Sequence, residues 1–298
     1  MVDDLHIASF AAMGSRCEIR IAAASTDTAH AMAMLAIDEV RRIERKYSRY
    51  RSDSVVSRIN AAAGLRELEC DDETAALLGY ADTLYTASEG KFDITSGVLR
   101  KAWDFRRGAM PQNGALNALL PLVGWHKVVR RKHAIFLPLP GMELDFGGFG
   151  KEYAVDRAAQ VLQQLGGQYG YVNLGGDMRF LSPRPNGIAW DIGIQDPRDM
   201  STTVASIPLG LGALATSGDY ERFIEVDGQR YCHVLDPRSG MPVSHWRSIS
   251  VVAPLAITAG SITTTAMLLE DDGLDFLDHS GMGYLAIDNE GCIFRRTP

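Results

Sequence analysis

Apolar and polar residues alternate over residues 7–23, with Cys17, Ile19 and Ile21 on one side and Glu18 and Arg20 on the other. This predicts two strands around a turn at Met13-Gly14. The period then lengthens: Met32, Ala36, Val40, Ile43 and Tyr47 recur at helical spacing behind the capping residues Ser25 to Asp27, so a helix is expected from about Thr28 to Arg45. A second helix is expected over Glu73 to Ser88, ending at Gly90, and a third carries the stripe Ala154, Val155, Ala158, Val161, Leu162 and Leu165 before Gly166-Gly167. From there to about residue 255 the pattern is mainly β, with strands at Tyr169–Asn173, Met178–Leu181, Trp190–Gln195, Val204–Ile207, Phe223–Val226, Tyr231–Val234 and Ser248–Ala253. Helices over Ser261–Leu269 and Leu274–His279 and a hairpin turning at Asp288–Gly291 complete the chain. Strands and helices alternate without regular βαβ spacing, which favours an α+β fold over a doubly wound sheet. No internal repeat is evident.

The 298 residues supply ample material for a packed core, and 46% hydrophobic with 22% charged residues is ordinary for a globular protein. A formal net charge of −7 removes the electrostatic footprint of a nucleic-acid binder. The basic run Arg41, Arg42, Arg45, Lys46, Arg49 and Arg51 reads as a solvated helix face. No export signal and no apolar run of bilayer-spanning length is seen, so a cytoplasmic protein without membrane contact is expected. Cys17, Cys70, Cys232 and Cys292 form no Cys-x-x-Cys pair and fit reduced, mostly buried thiols.

The segment Leu144 to Asp156 runs an apolar strand end through Gly147, Gly148 and Gly150 into the third helix. Glycines let amides approach an anion closely, and a helix start adds unpaired amides and the positive end of its dipole. A turn that only packs helix against sheet would look the same. A Walker pattern and a dinucleotide fingerprint both fail here, the latter because Tyr153 stands where glycine is required. Four further segments are polar and turn-rich: Gly90–Thr95, Asn173–Asp177, Ala215–Arg222 and His233–Gly240. Each sets an Asp beside small or hydroxyl residues, suited to fixing turns or to holding ribose, hydroxyls or metal-bound water.

In this order, with Met13-Gly14-Ser15, Tyr47-Ser48-Arg49-Tyr50, Asp53-Ser54, Ser57-Arg58-Ile59-Asn60 and Ile194 to Arg198, the segments resemble the ApbE-type FAD:protein FMN transferases over nearly the whole chain. The resemblance implies one flavin transferase domain over residues 1–298, made of two intimately packed antiparallel-sheet and helix units of T-fold type with the FAD cleft between them. It implies transfer of the FMN half of FAD to a threonine hydroxyl of an acceptor flavoprotein, with release of AMP. Met13, Tyr50, Lys91, Phe92 and Asp93 would line the FAD pocket. Gly147, Gly148, Lys151 and Tyr153 would lie near the phosphates, and Thr216, Ser217, Asp219 and Val234 around the same site. His233 is the candidate for proton transfer, because imidazole titrates near neutrality.

The family generally holds Mg²⁺ with a carbonyl, here that of Gly150, a Thr, here Thr264, and an Asp whose position Gly260 occupies. Loss of that carboxylate should weaken the metal site, and Gly260→Asp should restore it. Three readings follow: a flavin transferase, a non-catalytic FAD-binding or flavin-carrier protein with a degenerate metal site, and an FAD pyrophosphatase yielding FMN and AMP.

Overall fold

The computed structural model describes residues 5–105, 108–112 and 114–297. The same arrangement of strands and helices is built twice. The first copy opens with the hairpin of β1 (His6–Ala12) and β2 (Ser15–Ile21) and continues into α1 (Thr26–Tyr47). An insertion follows, containing α2 (Val55–Ala61), β3 (Leu68–Glu69), α3 (Asp72–Ala87), a 3₁₀ segment at Ile94–Lys101, α4 (Ala115–Leu119), β4 (Val129–Arg131) and β5 (Ala134–Phe136). Next, α5 (Gly150–Gln164), β6 (Gly170–Leu174) and β7 (Asp177–Phe180) close the first copy, and the separate hairpin of β8 (Trp190–Gln195) and β9 (Thr203–Leu209) follows.

The second copy starts with β10 (Gly212–Gly218), from which an inserted hairpin of β11 (Phe223–Val226) and β12 (Gln229–Cys232) leads to β13 (Trp246–Ala253). It ends with α6 (Ala256–Leu269), α7 (Gly273–Ser280), β14 (Gly283–Asp288) and β15 (Ile293–Arg296). Without its insertions each copy reads ββααββ. Strands pair in the order β1-β2-β6-β7 and β10-β13-β14-β15, and the antiparallel pairing of β7 with β10 fuses the copies into one eight-stranded sheet. The expected pair of units is therefore present, joined along a strand seam. The repeat escapes the sequence because a strand requires little beyond alternation, and the insertions destroy any common spacing.

Alternation along the strands decides which residues meet the helices. Ile19, Ile21, Val172, Leu174, Ala213, Ala215, Ile249 and Val251 join the apolar stripes of α1, α5 and α6 in the main core. Tyr171, Phe180, Leu214, Val252 and Leu285 point to the opposite face, where Trp190 and Ile194 of β8 cover them. α1 starts where Ser25 Oγ accepts from the Thr28 amide at 3.2 Å.

Two sequence expectations need correction. Ala215 to Ser217, read as part of a turn-rich segment, lie on β10 at the centre of the sheet, where small side chains let α6 come close: Ser217 Oγ is 2.8 Å from Thr263 Oγ1. The basic run is not simply solvated, since Arg42 pairs with Glu39 and Glu73, Lys46 with Asp71 and Glu73, and Arg49 with Asp145. Among the described residues no helix is long and apolar enough to cross a membrane.

Candidate functional site

The β1–β2 turn, the β6–β7 turn and the end of β10 lie at the same end of the sheet, and the start of α5 meets them there. Asp177, the first residue of β7, holds the pieces together. Its Oδ1 accepts from the Thr216 amide at 3.3 Å across the seam, and its Oδ2 stands 2.8 Å from Lys151 Nζ in the first turn of α5. Burial works against the charge of Lys151, but Asp177, with Glu152 alongside, holds the ammonium above the ordinary lysine range.

Phe149, at the cap position of α5, offers no side-chain hydrogen bond. The glycine segment before it is fixed from two sides. Asp145 accepts from the Gly147 amide at 2.9 Å and is itself paired with Arg100 and Arg49. A Cβ on Gly148 would come within 2.7 Å of Phe92 Cζ, so the backbone lies directly on that ring. Phe92 is buried and stacks on Phe149 with centroids 6.3 Å apart, which makes it the floor of the glycine segment. The start of α5 is thus a helix end without a capping side chain: the Gly150 amide donates to the Phe146 carbonyl at 2.6 Å, and Lys151 stands in the first turn.

The β11–β12 hairpin places two more groups. Its two ends are tied by the His233 amide donating to the Arg222 carbonyl at 3.0 Å, and the Arg222 guanidinium lies over the β1–β2 turn, 3.6 Å from where a Cβ of Gly14 would be. Burial, then the charges of Arg100 and Arg222, push the His233 imidazole down to about 4, so it is neutral at pH 7. Its Nδ1 is buried without a hydrogen-bond partner.

The remaining sequence candidates are distributed as follows. Met13 is in the left-handed region at φ 53 in the two-residue turn, and its amide donates to Glu44 Oε1 at 2.6 Å. Tyr50 is exposed beside Arg49 and lines a cavity of about 300 Å³ together with Arg100, Ser57 and Asn60. Lys91 pairs with Asp236 at 2.9 Å and so ties Gly90–Thr95 to His233–Gly240. Asp93 is buried, one oxygen accepting from the Thr95 amide and hydroxyl at 2.7 and 2.6 Å, the other from the Trp125 amide at 2.9 Å. Tyr153 donates its hydroxyl to Glu73 of α3 at 2.8 Å.

Thr216 Oγ1 lies 2.8 Å from Ser250 Oγ, while Ser217 Oγ lies 3.3 Å from Thr264 Oγ1. Asp219 brackets Arg198 with two contacts of 2.7 Å, fastening the segment after β8 to the end of β10. The Val234 carbonyl accepts from the Val243 amide at 3.0 Å. Lys151, Gly150, Thr216, Ser217 and Thr264 therefore gather at the seam, and His233 is within electrostatic range of Lys151. The polar groups of Asp93 and Tyr153 are engaged inside the protein.

A profile of the ApbE family matches residues 13–286. The chain belongs to the ApbE family. It is 30% identical over 259 residues to the FAD:protein FMN transferase of Haemophilus influenzae, a match covering 82% of this chain and 75% of that protein. The FAD:protein FMN transferase of Treponema pallidum is 29% identical over 277 residues, 86% of this chain and 76% of its own. Among solved structures, the ApbE protein of Thermotoga maritima superposes with a TM-score of 0.90 at 29% identity, covering 98% of this chain and 97% of that one. The flavin transferase ApbE of Vibrio cholerae gives 0.86 at 26% identity, with 98% and 97% covered.

Within this ApbE frame, sequence reasoning did not single out Arg100, Asp177, Arg222 or Glu152 as site residues. Asp177 and Arg222 lie inside the polar segments, and Glu152 lies inside the glycine segment; Arg100 lies in the last turn of the Ile94–Lys101 segment with no local signal. The expected restoration by Gly260→Asp meets a steric condition. An aspartate cannot simply be added at position 260, because a Cβ there would stand 2.5 Å from Glu152 Cγ. The Glu152 side chain lies in the space that a side chain at position 260 would take.

Proposed function

We infer that the chain is an FAD:protein FMN transferase that moves the FMN half of FAD to a threonine hydroxyl of an acceptor flavoprotein and releases AMP. The observation that carries this reading is the match, over 82% of the chain, to a relative of that name, by a protein that sets Lys151 at an open helix start near a neutral, unpartnered imidazole. In the reaction the threonine oxygen attacks the FMN-side phosphorus and the bond to the bridging oxygen breaks. AMP departs with that oxygen, and the hydroxyl proton passes to the His233 imidazole. Lys151, Arg222, Arg100 and the first amides of α5 face the pyrophosphate charge, and Tyr50 and Phe92 border the flavin end.

A bound Mg²⁺ would neutralise further charge on the pyrophosphate. Gly150 would offer its carbonyl and Thr264 its hydroxyl, with Ser217 Oγ 3.3 Å from the latter; this oxygen-only donor set suits the ion. Among the described residues no group of three or more His, Cys, Asp or Glu side chains gathers as a metal cluster, so phosphate oxygens must complete such a site. The unbroken sheet through both copies supports treating residues 1–298 as one flavin transferase domain. The four free thiols support a reducing, cytoplasmic setting.

Mass spectrometry tests the reading. A candidate acceptor incubated with the protein, FAD and Mg²⁺ should gain the mass of esterified FMN with stoichiometric AMP, and His233→Ala should slow this by about 10²–10⁴-fold while FAD still binds. Free FMN and AMP without adduct would replace transfer by hydrolysis, and FAD binding with neither product would leave a flavin carrier.

A further inference from the structure

The carboxyl of Glu152 is buried beside the Asp177 carboxyl and the Lys151 ammonium. It sits in the first turn of α5 at 8% exposure, and its Oε2 is buried with no hydrogen-bond partner. A buried carboxylate left so is costly unless a cation or donor meets it. α6 passes this carboxyl at Gly260, where a Cβ would stand 2.5 Å from Glu152 Cγ and 2.9 Å from both Cδ and Oε1. The Glu152 carboxyl therefore fills the volume that a side chain at position 260 would take.

Residues 260, 263 and 264 share one face of α6 by helical spacing. Thr263 Oγ1 donates to the Gly260 carbonyl at 2.9 Å, and Ser217 Oγ of β10 lies 2.8 Å from Thr263 Oγ1 and 3.3 Å from Thr264 Oγ1. A carboxyl with an unpartnered oxygen thus arrives from α5 on the hydroxyl-bearing face of α6. A carboxyl that a bound cation would ionise, set among neutral oxygens, is the donor chemistry of a hard divalent cation that keeps further positions for water or phosphate.

We propose that Glu152 is the anionic protein ligand of a divalent cation at the seam, reaching from α5 into the space that a carboxylate on α6 at position 260 would otherwise occupy. Positions 152 and 260 then form an exchangeable pair: glycine at either one makes room for a carboxylate from the other. This rests on the flavin-transfer reading, in which the cation is shared with the FAD pyrophosphate, and it removes the ground for calling the metal site degenerate.

The test is Mn²⁺ titrated into the full chain with saturating FAD, free Mn²⁺ being read by electron paramagnetic resonance and melting temperature measured for each variant. Wild type should bind Mn²⁺. Glu152→Gln, which keeps the shape and removes the charge, should bind it about tenfold or more weakly, since even loss of a partner behind a metal ligand costs about 10–100-fold. Gly260→Asp alone should melt at lower temperature because of the collision, and Glu152→Gly combined with Gly260→Asp should recover both melting temperature and Mn²⁺ affinity. Unchanged affinity in Glu152→Gln, no Mn²⁺ binding by the FAD-loaded wild type, or a double variant binding no better than Glu152→Gly would each overturn the proposal. FMN transfer is assayed separately: transfer by wild type alongside unchanged Mn²⁺ affinity in Glu152→Gln rejects the Glu152 ligand and leaves the transferase reading standing, whereas failure of wild type to bind FAD rejects both.

Discussion

α5 and α6 pack on the same face of the sheet and begin in opposite ways. Neither has a capping side chain of its own. At α6, however, Asp156 reaches across from α5, and its two oxygens accept from the Ala256 and Ile257 amides, each at 2.9 Å. At α5 the corresponding place is given to Lys151, a cation, beside a glycine segment held open by Phe92 and Asp145. The start of α6 is answered directly by a carboxylate; at the start of α5 the nearest charge is a lysine, held by Asp177. One helix thus supplies the cap for its neighbour while its own start has no carboxylate cap.

This contrast breaks most severely at Lys151. Lys151→Met should weaken FAD binding by about 10–100-fold, the range for losing a hydrogen bond to a charged group. Flavin fluorescence titration reads this directly, and undiminished affinity would remove the phosphates from the start of α5. Asp156→Ala should do the reverse, lowering unfolding free energy by about 1–2 kcal/mol through loss of the α6 cap while FAD affinity is retained. Urea denaturation paired with the same titration separates the two helix ends; a large loss of flavin affinity in Asp156→Ala would erase the distinction between them.

The smallest effect is on pH dependence. His233 is held at about 4 in the fold against an ordinary 6.5, by burial and by Arg100, Arg222 and Lys151 near the open end. The unfolded chain takes up a proton that the folded chain refuses, so this contribution to stability is complete above pH 6.5 and is lost as pH falls towards 4. Melting temperature should drop by about 2–4 °C for each kcal/mol lost, and His233→Gln should flatten the slope in that window. An identical slope in the variant would place the titrating group elsewhere.

The elements with a clear period were legible before any coordinates. The stripe from Met32 to Tyr47 belongs to α1 (Thr26–Tyr47), and Trp190–Gln195 is β8 with the same bounds. The candidate segments were also visible, because an Asp among glycines and hydroxyls stands out from a core strand. β10 was misread for the same reason: its small polar residues imitate a turn, and only the approach of α6 explains them. The partners of the Asp93 carboxylate, Thr95 and Trp125, were equally hidden, because Trp125 is brought to it only by the fold.

Local pattern thus determined the α+β class, the helix stripes, the strand faces and the family to which the chain belongs, because periodicity and motif act through neighbours in sequence. Tertiary structure alone decided the duplication fused at β7–β10, the capping of α6 by Asp156 and the tie between Lys151 and Asp177. It also decided what Gly260 means. From the sequence, that glycine is a carboxylate lost; in the fold it is the space that Glu152 fills. The two positions carry no signal of each other along the chain, since what links them is the contact distance between two helices packed on one sheet.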